Sequence, residues 1–245
     1  MIPLDVLCAA ATPGELQLLD ASLGKARAGR GGVRSWRWGR VGELRVGVLA
    51  CGAGKANATL ALGPVLESTR PRLVLAVGVA GAYPGSGLAV GEAAVATEEI
   101  YGDEGVETPH GFRGMEETSL SLWEDGRARY FNRFPADPGV SAVLAGCGVG
   151  AARLGTGPFV TLSTVTGTRE RAVELGRRYA ALCETMEGAA FAHAAAAYGA
   201  AFGEVRGVSN PVGPRDRASW KIQEAAAAAQ EVALRFLHSW PARRT

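Results

Sequence analysis

Short apolar runs alternate along the chain with longer stretches whose apolar residues recur every three or four positions. The short runs predict strands over residues 5–10, 44–50, 73–79, 93–100, 159–164 and 204–209. The longer periods predict helices over 13–28, 55–68, 169–179, 186–198 and 219–240. Strands of four to eight residues spaced by helices indicate an α/β sheet covered on both faces. Gly and Pro cluster at 81–91 and 210–214, which marks loops. The stretch 102–134 is polar and mixed, and reads as a surface excursion over a site rather than a linker. No internal repeat is evident, so one domain spanning 1–245 is expected.

Composition narrows the picture. Of 245 residues 47% are hydrophobic and 20% charged, an ordinary globular balance with enough chain for a full core. A net charge of +2 leaves no electrostatic footprint for nucleic acid. Cys8, Cys51, Cys147 and Cys183 are scattered without metal-ligand spacing and read as free thiols, so neither a metal nor a disulfide is expected. The first residues lack a signal-peptide pattern, and the alanine-rich stretch 189–201 is too short to span a bilayer. A soluble, cytoplasmic protein with no membrane partner is expected.

Two glycine turns follow predicted strands. Gly52-Ala53-Gly54-Lys55 opens a helix, a context suited to binding an anion or ligand at a helix N-terminus. Asn57 stands where the dinucleotide fingerprint needs its third glycine. Leu49 and Ala56 break the phosphate-loop pattern. A tight strand-to-helix turn explains the segment equally well. The second turn, Val77-Gly78-Val79-Ala80-Gly81, lets backbone approach a ligand beyond the carboxyl end of a strand. Packing against a crossing helix is its plainer explanation.

Three charged residues sit in apolar company. Met186-Glu187-Gly188 puts a carboxylate at the head of an almost wholly apolar helix, where it needs a partner, a ligand or the helix dipole. Arg206 interrupts an apolar strand that ends in Ser209-Asn210, and an Arg206–Glu187 ion pair would satisfy both charges. Thr12-Pro13-Gly14-Glu15 fits a capping box, which competes with any chemical use of Glu15.

These pieces occur in one order: Glu15, Gly52-x-Gly-Lys, the Val-Gly-Val-Ala-Gly turn, Met186-Glu187-Gly188, then Arg206-x-x-Ser209-Asn210. The order resembles the purine nucleoside phosphorylase and methylthioadenosine/S-adenosylhomocysteine nucleosidase superfamily, from about residue 4 to the last helix. The tail Val208 to Asp216, followed by Trp220, is similar to the futalosine hydrolase branch of that superfamily. The resemblance implies a three-layer phosphorylase/hydrolase-like fold, with a central mixed sheet flanked by helices. It also implies a small purine nucleoside as substrate, no cofactor, and a homo-oligomer, dimer or tetramer, because the superfamily often completes the pocket with a second subunit.

The same resemblance implies roles. Glu187 binds the ribose 2′- and 3′-hydroxyls, and Met186 packs beneath the sugar. Arg206 helps hold Glu187 and the attacking water, which Glu15 activates. Asn210, beside Ser209, faces the purine. The backbone of Val79, Ala80 and Gly81 lines the base and sugar. Thr164 and Val165 match the place where nucleosidases set an aromatic–aliphatic pair around the base, and Thr164 departs from that pattern by not being aromatic. Asn210 departs too, standing where adenine-specific members carry an aspartate. An amide donates to N7 or O6 of a 6-oxopurine but cannot protonate N7, so hypoxanthine or guanine is favoured over adenine. The final proton then comes from solvent or another group, Asp216 being a candidate. A carboxylate at Glu15 repels phosphate and favours water as nucleophile, while Lys55 and Arg206 keep phosphorolysis open. Tyr101, His110 and Phe112 are candidates to cover the 5′ substituent. An adenosine-type nucleosidase and a non-catalytic purine sensor on the same fold are the competing readings.

Overall fold

A computed structural model describes residues 3–30, 32–126, 128–148 and 154–241. In chain order its elements are β1 (Val6–Ala10), α1 (Gln17–Ala21), β2 (Gly24–Ala28), β3 (Trp36–Val41), β4 (Leu44–Ala50), α2 (Lys55–Thr69), β5 (Leu73–Ala82) and β6 (Ala93–Tyr101). The polar excursion follows with β7 (Gly105–Thr108), β8 (Gly111–Gly114), α3 (Met115–Thr118), β9 (Trp123–Glu124), β10 (Arg129–Tyr130) and β11 (Arg133–Pro135). Then come α4 (Pro138–Gly146), β12 (Gly155–Thr161), α5 (Arg169–Tyr179), β13 (Cys183–Thr185), α6 (Gly188–Ala197), β14 (Ala201–Pro211) and α7 (Ile222–Ser239).

The main sheet is mixed, as expected. Strand β5 is its hub, parallel to β1 and β14 and antiparallel to β13. Its run Leu73-Val74-Leu75-Ala76-Val77 is wholly buried, which is how a central strand covered on both faces reads. On one side β1, β4, β3 and β2 continue the sheet outward. On the other, β14 pairs with both β5 and β6, β6 with β12, β12 with β13, and β13 with β5. Five strands therefore close into a ring. Helices α2 and α6 pack against each other in one core that also holds Leu7, Val74 and Phe202. Helix α7 lies across β14 and β5 on the opposite face and buries Ala225, Ala229, Val232, Ala233 and Phe236, a three-to-four spacing. No helix among the described residues is long and apolar enough to cross a membrane.

The predicted helix over 13–28 is corrected. The chain forms a 3₁₀ turn at Pro13–Leu16, the short α1, and then the edge strand β2. The Ser22 amide and hydroxyl both turn back onto the carbonyl of Leu19, which ends the helix, and Lys25 takes a left-handed φ of 54°. Pairing with β3 then overrides the helical preference of Lys-Ala-Arg-Ala, and Arg27 stacks over Trp38. Strand β12 starts at Gly155 and stops at Thr161, earlier at both ends than the predicted 159–164, so Thr164 falls in a bend. Helices α6 and α7 begin later than predicted, at Gly188 and Ile222.

Candidate active site

A cleft of about 310 Å³ opens where the carboxyl ends of the parallel strands meet. Val79, Ala80 and Gly81 at the end of β5 line it, as do Met186 and Glu187 between β13 and α6, and Ser209 and Asn210 at the end of β14. Glu15 enters from the 3₁₀ turn after β1, and Val165 and Thr166 from the loop after β12. The structure thus gathers residues 15, 79–81, 165, 186–187 and 209–210 on one cavity.

Glu15 is 5% exposed and accepts three hydrogen bonds. Its Oε2 takes the Thr12 amide at 2.9 Å and the Thr12 hydroxyl at 2.8 Å, and its Oε1 takes the Val79 amide at 3.0 Å. The capping contact and the cleft position coexist in one carboxylate, each oxygen serving a different neighbour. Gly78 is what permits this. A Cβ there would lie 2.5 Å from both the Glu15 Oε1 and an Arg206 Nη1, so any side chain would push the two apart.

Glu187 is 4% exposed and sits on the N-cap of α6. Its Oε1 accepts the Gly54 amide at 2.7 Å, so the Gly52-x-Gly-Lys turn serves to hold this carboxylate. The turn needs a φ of +91° at Gly54, a conformation that favours glycine. Burial pushes the Glu187 carboxyl above the usual range, Arg206 and the Gly54 amide pull it back, and Glu15 and Glu204 push it further up.

The expected Arg206–Glu187 ion pair is replaced by another. Arg206, 1% exposed, donates from Nε to Glu204 Oε1 at 2.6 Å, two residues back on the same strand face. It lies behind the cleft wall rather than on it. Burial works against its charge, but Glu204, Glu187 and Glu15 outweigh that and hold the guanidinium protonated. Glu99 of β6 completes this interior. Thr161 donates to it at 2.7 Å and Thr185 at 3.3 Å, and Glu204 faces it. Burial first, and Glu204 second, raise Glu99 well above the carboxylate range. The ring of strands therefore has a polar core, supplied by β6, β12, β13 and β14. Glu204 is a lone acid in an apolar strand run, the signal that marks Glu187, whereas Glu99 follows Glu98 and carries no such signal in the sequence.

At the other end of the cleft a β-bulge at Ser209 shifts the register of β14 against β5, so that Asn210 pairs with Gly81. The Ser209 hydroxyl lies 2.8 Å from Asn210 Oδ1 and 3.2 Å from the Ala80 carbonyl. Asn210 Nδ2 donates to the Pro211 carbonyl at 2.9 Å, which leaves its second N–H for the cleft.

Thr164 is exposed in its bend and does not line the cleft; Thr166, buried, takes that place beside Val165. Glu184, Thr185, Arg215, Trp220 and Ile222 also line it and had not been singled out for this wall. Tyr101, His110 and Phe112 do not. Tyr101 packs edge-on against Phe134 and His193, Phe112 lies under Arg178, and the His110 amide is bound to Thr108. Lys55 is held by Asp103 at 2.6 Å and Glu104 at 2.7 Å, which ties the start of the excursion to α2. Asp216 caps a 3₁₀ turn by accepting from Ala218.

The family model described as the phosphorylase superfamily matches residues 5–238. The chain is 42% identical over 193 residues to the futalosine hydrolase of Thermus thermophilus, covering 77% of this chain and 80% of that one. It is 38% identical over 202 residues to the futalosine hydrolase of Streptomyces coelicolor, covering 79% and 80%. Its fold is similar to that of the S-adenosylhomocysteine nucleosidase of Streptococcus pyogenes, solved with 5-methylthiotubericidin, with a TM-score of 0.84, 22% identity and 99% of each chain covered.

Proposed function

Because the chain belongs to the phosphorylase superfamily and, within it, to the futalosine hydrolase family, we propose that its cleft hydrolyses the N-glycosidic bond of futalosine, releasing hypoxanthine and dehypoxanthine futalosine in the alternative menaquinone pathway. The observation that carries the reading is the meeting of Glu15 and Glu187 on one cavity.

Cleavage of a purine ribosyl bond passes through a cation-like sugar. Glu187 grips the 2′- and 3′-hydroxyls and sets negative charge beside that centre, while Met186 packs beneath the ring. Glu15 orients and deprotonates the water that attacks C1′, a contribution of about 10²–10⁴-fold. Arg206 acts from behind the wall by drawing the Glu187 carboxyl towards its ionised form. Asn210 donates from Nδ2 to the departing 6-oxopurine, and the backbone of Val79 to Gly81 lines its path.

Water rather than phosphate is the nucleophile. Phosphate wants several free cations. Lys55 is bound by two carboxylates and Arg206 by Glu204. Arg215, which does line the cleft, stacks over Trp220 at 4.8 Å. The enzyme works in the cytoplasm as a dimer or tetramer, which light scattering on the purified protein checks. Incubation with futalosine, inosine and methylthioadenosine, with and without phosphate, tests the reaction. Release of hypoxanthine from futalosine at a rate independent of phosphate is expected. Adenine release from methylthioadenosine as the faster reaction, or a phosphate-dependent sugar phosphate, would replace the reading with a nucleosidase or a phosphorylase.

A further inference from the structure

Glu204 is a buried acid that the mechanism above does not use. Strand β14 puts it two residues before Arg206 on the same face, where its Oε1 accepts the Arg206 Nε–H at 2.6 Å. Its other oxygen lies against Gly188, the residue that follows Glu187: a Cβ there would lie 2.8 Å from Glu204 Oε2. The guanidinium is gripped firmly at this end only. Its Nη1 is 3.5 Å from the Val79 carbonyl, and its Nη2 is buried with no hydrogen-bond partner among the described residues.

The free end faces the two acids of the cleft. Arg206 pairs with Gly78 across β14 and β5. Because Gly78 has no side chain, Arg206 Nη1 and Glu15 Oε1 meet above it, each 2.5 Å from where a Cβ would stand. The charges of Glu187 and Glu15 both bear on the guanidinium. An arginine offers five N–H donors in a rigid fork, and its bonds to carboxylates are about twice as strong as neutral ones. Without an anchor behind it, that fork would close on Glu15 or Glu187. It would then fill the acceptor positions that the water and the sugar hydroxyls need.

We infer that Glu204 is a positioning residue: by binding Arg206 from behind, it keeps the guanidinium from closing on Glu15 and Glu187 and so leaves their outer oxygens open to the cleft. The inference rests on the proposed hydrolysis, in which those two acids do the work. Glu204 itself touches neither substrate nor water. Facing Glu187 are the Gly54 amide ahead of α2, Glu15 from the 3₁₀ turn, the Cys51 thiol after β4, and Arg206 and Glu204 from β14. Burial raises the Glu187 carboxyl most, Arg206 and the Gly54 amide draw it down, and Glu15 and Glu204 push it up. Removing the Glu204 charge frees Arg206 and takes away a repulsion, and both changes lower the Glu187 carboxyl.

The test is the pH profile of kcat/KM for futalosine on the wild type, Glu204→Gln and Glu204→Asp. The amide keeps the shape and an acceptor for Nε–H but carries no charge; the aspartate keeps the charge with a shorter reach. On Glu204→Gln the acid limb should move to lower pH by about one unit, a tenfold change in proton concentration. Its kcat should fall by about tenfold or more with KM held within about threefold, because Arg206 now occupies Glu15. On Glu204→Asp the limb should stay within about 0.3 unit of the wild type. A packing role would do the reverse, sparing the isosteric amide and harming the shorter acid. A limb that stays or rises on Glu204→Gln overturns the inference, as does an equal shift on Glu204→Asp. Should the amide not fold, a crystal structure of the wild type with dehypoxanthine futalosine bound decides. Arg206 held by Glu204 alone is expected, and a direct bond from Arg206 to Glu15 or Glu187 overturns the inference. Failure of the wild type to release hypoxanthine from futalosine would instead remove the proposed function.

Discussion

Two pairs of glutamates lie within one ring and its mouth, and they have opposite surroundings. Glu15 and Glu187 are held by backbone amides, those of Val79 and Gly54, and line the cleft. Glu99 and Glu204 are wholly buried behind it and face each other, Glu99 bound to two threonines and Glu204 to Arg206. Amide donors stabilise a carboxylate without using up its outer acceptor positions. The inner pair is shut away from the cleft, and burial together with Glu204 raises the Glu99 carboxyl. The same side chain thus serves as an open site in one place and as internal scaffolding in the other, and what decides is which donors the backbone brings to it.

That contrast is open to attack by substitution. Glu187→Gln should have the largest effect, a loss of hypoxanthine release from futalosine of about 10³-fold or more with the thermal unfolding midpoint retained. Glu15→Gln should cost about 10²–10⁴-fold in kcat, read in the same assay, because it removes the base proposed to activate water. Asn210→Asp should shift the ratio of adenine to hypoxanthine release towards adenine nucleosides by about tenfold, a single altered hydrogen bond. An unchanged ratio would remove Asn210 from base recognition.

Glu99→Gln should have the smallest effect on turnover, within about threefold, and should show itself in stability. A carboxyl whose pKa is raised in the fold contributes fully below its unfolded value and loses that contribution as pH rises towards its folded one. Glu99 is raised. Wild-type stability should therefore decline as pH climbs above the ordinary glutamate range, and the amide variant, which keeps a donor for Glu204 and never ionises, should decline less. Denaturant titrations at several pH values check this.

The apolar runs mark out β1, β4, β5, β6, β12 and β14 of the main sheet but not β2, β3, β11 or β13, and β4 and α5 match the expected 44–50 and 169–179 at both ends. The edge strand β2 escaped because its local preference is helical and its pairing partner is distant in kind, an aromatic strand with Arg27 over Trp38. In the site, Glu187 stood out as a charge in apolar sequence. Glu184 did not, since Cys183-Glu184-Thr185 is only three residues long and its place on the cleft wall comes from β5 beside it. Arg206 was visible as an anomaly, but its partner was misassigned. Two residues apart on one strand, Arg206 and Glu204 share a face and pair locally.

The pH profile of kcat/KM for futalosine, run side by side on the wild type and on Glu99→Gln, tests the division of labour most directly. Burial raises the Glu187 carboxyl, so activity should fall on the acid side through a group titrating above the ordinary glutamate range, and the same limb should persist in the variant. An acid limb that disappears or drops back to the ordinary range when Glu99 is replaced would place the buried pair in the reaction and contradict the account.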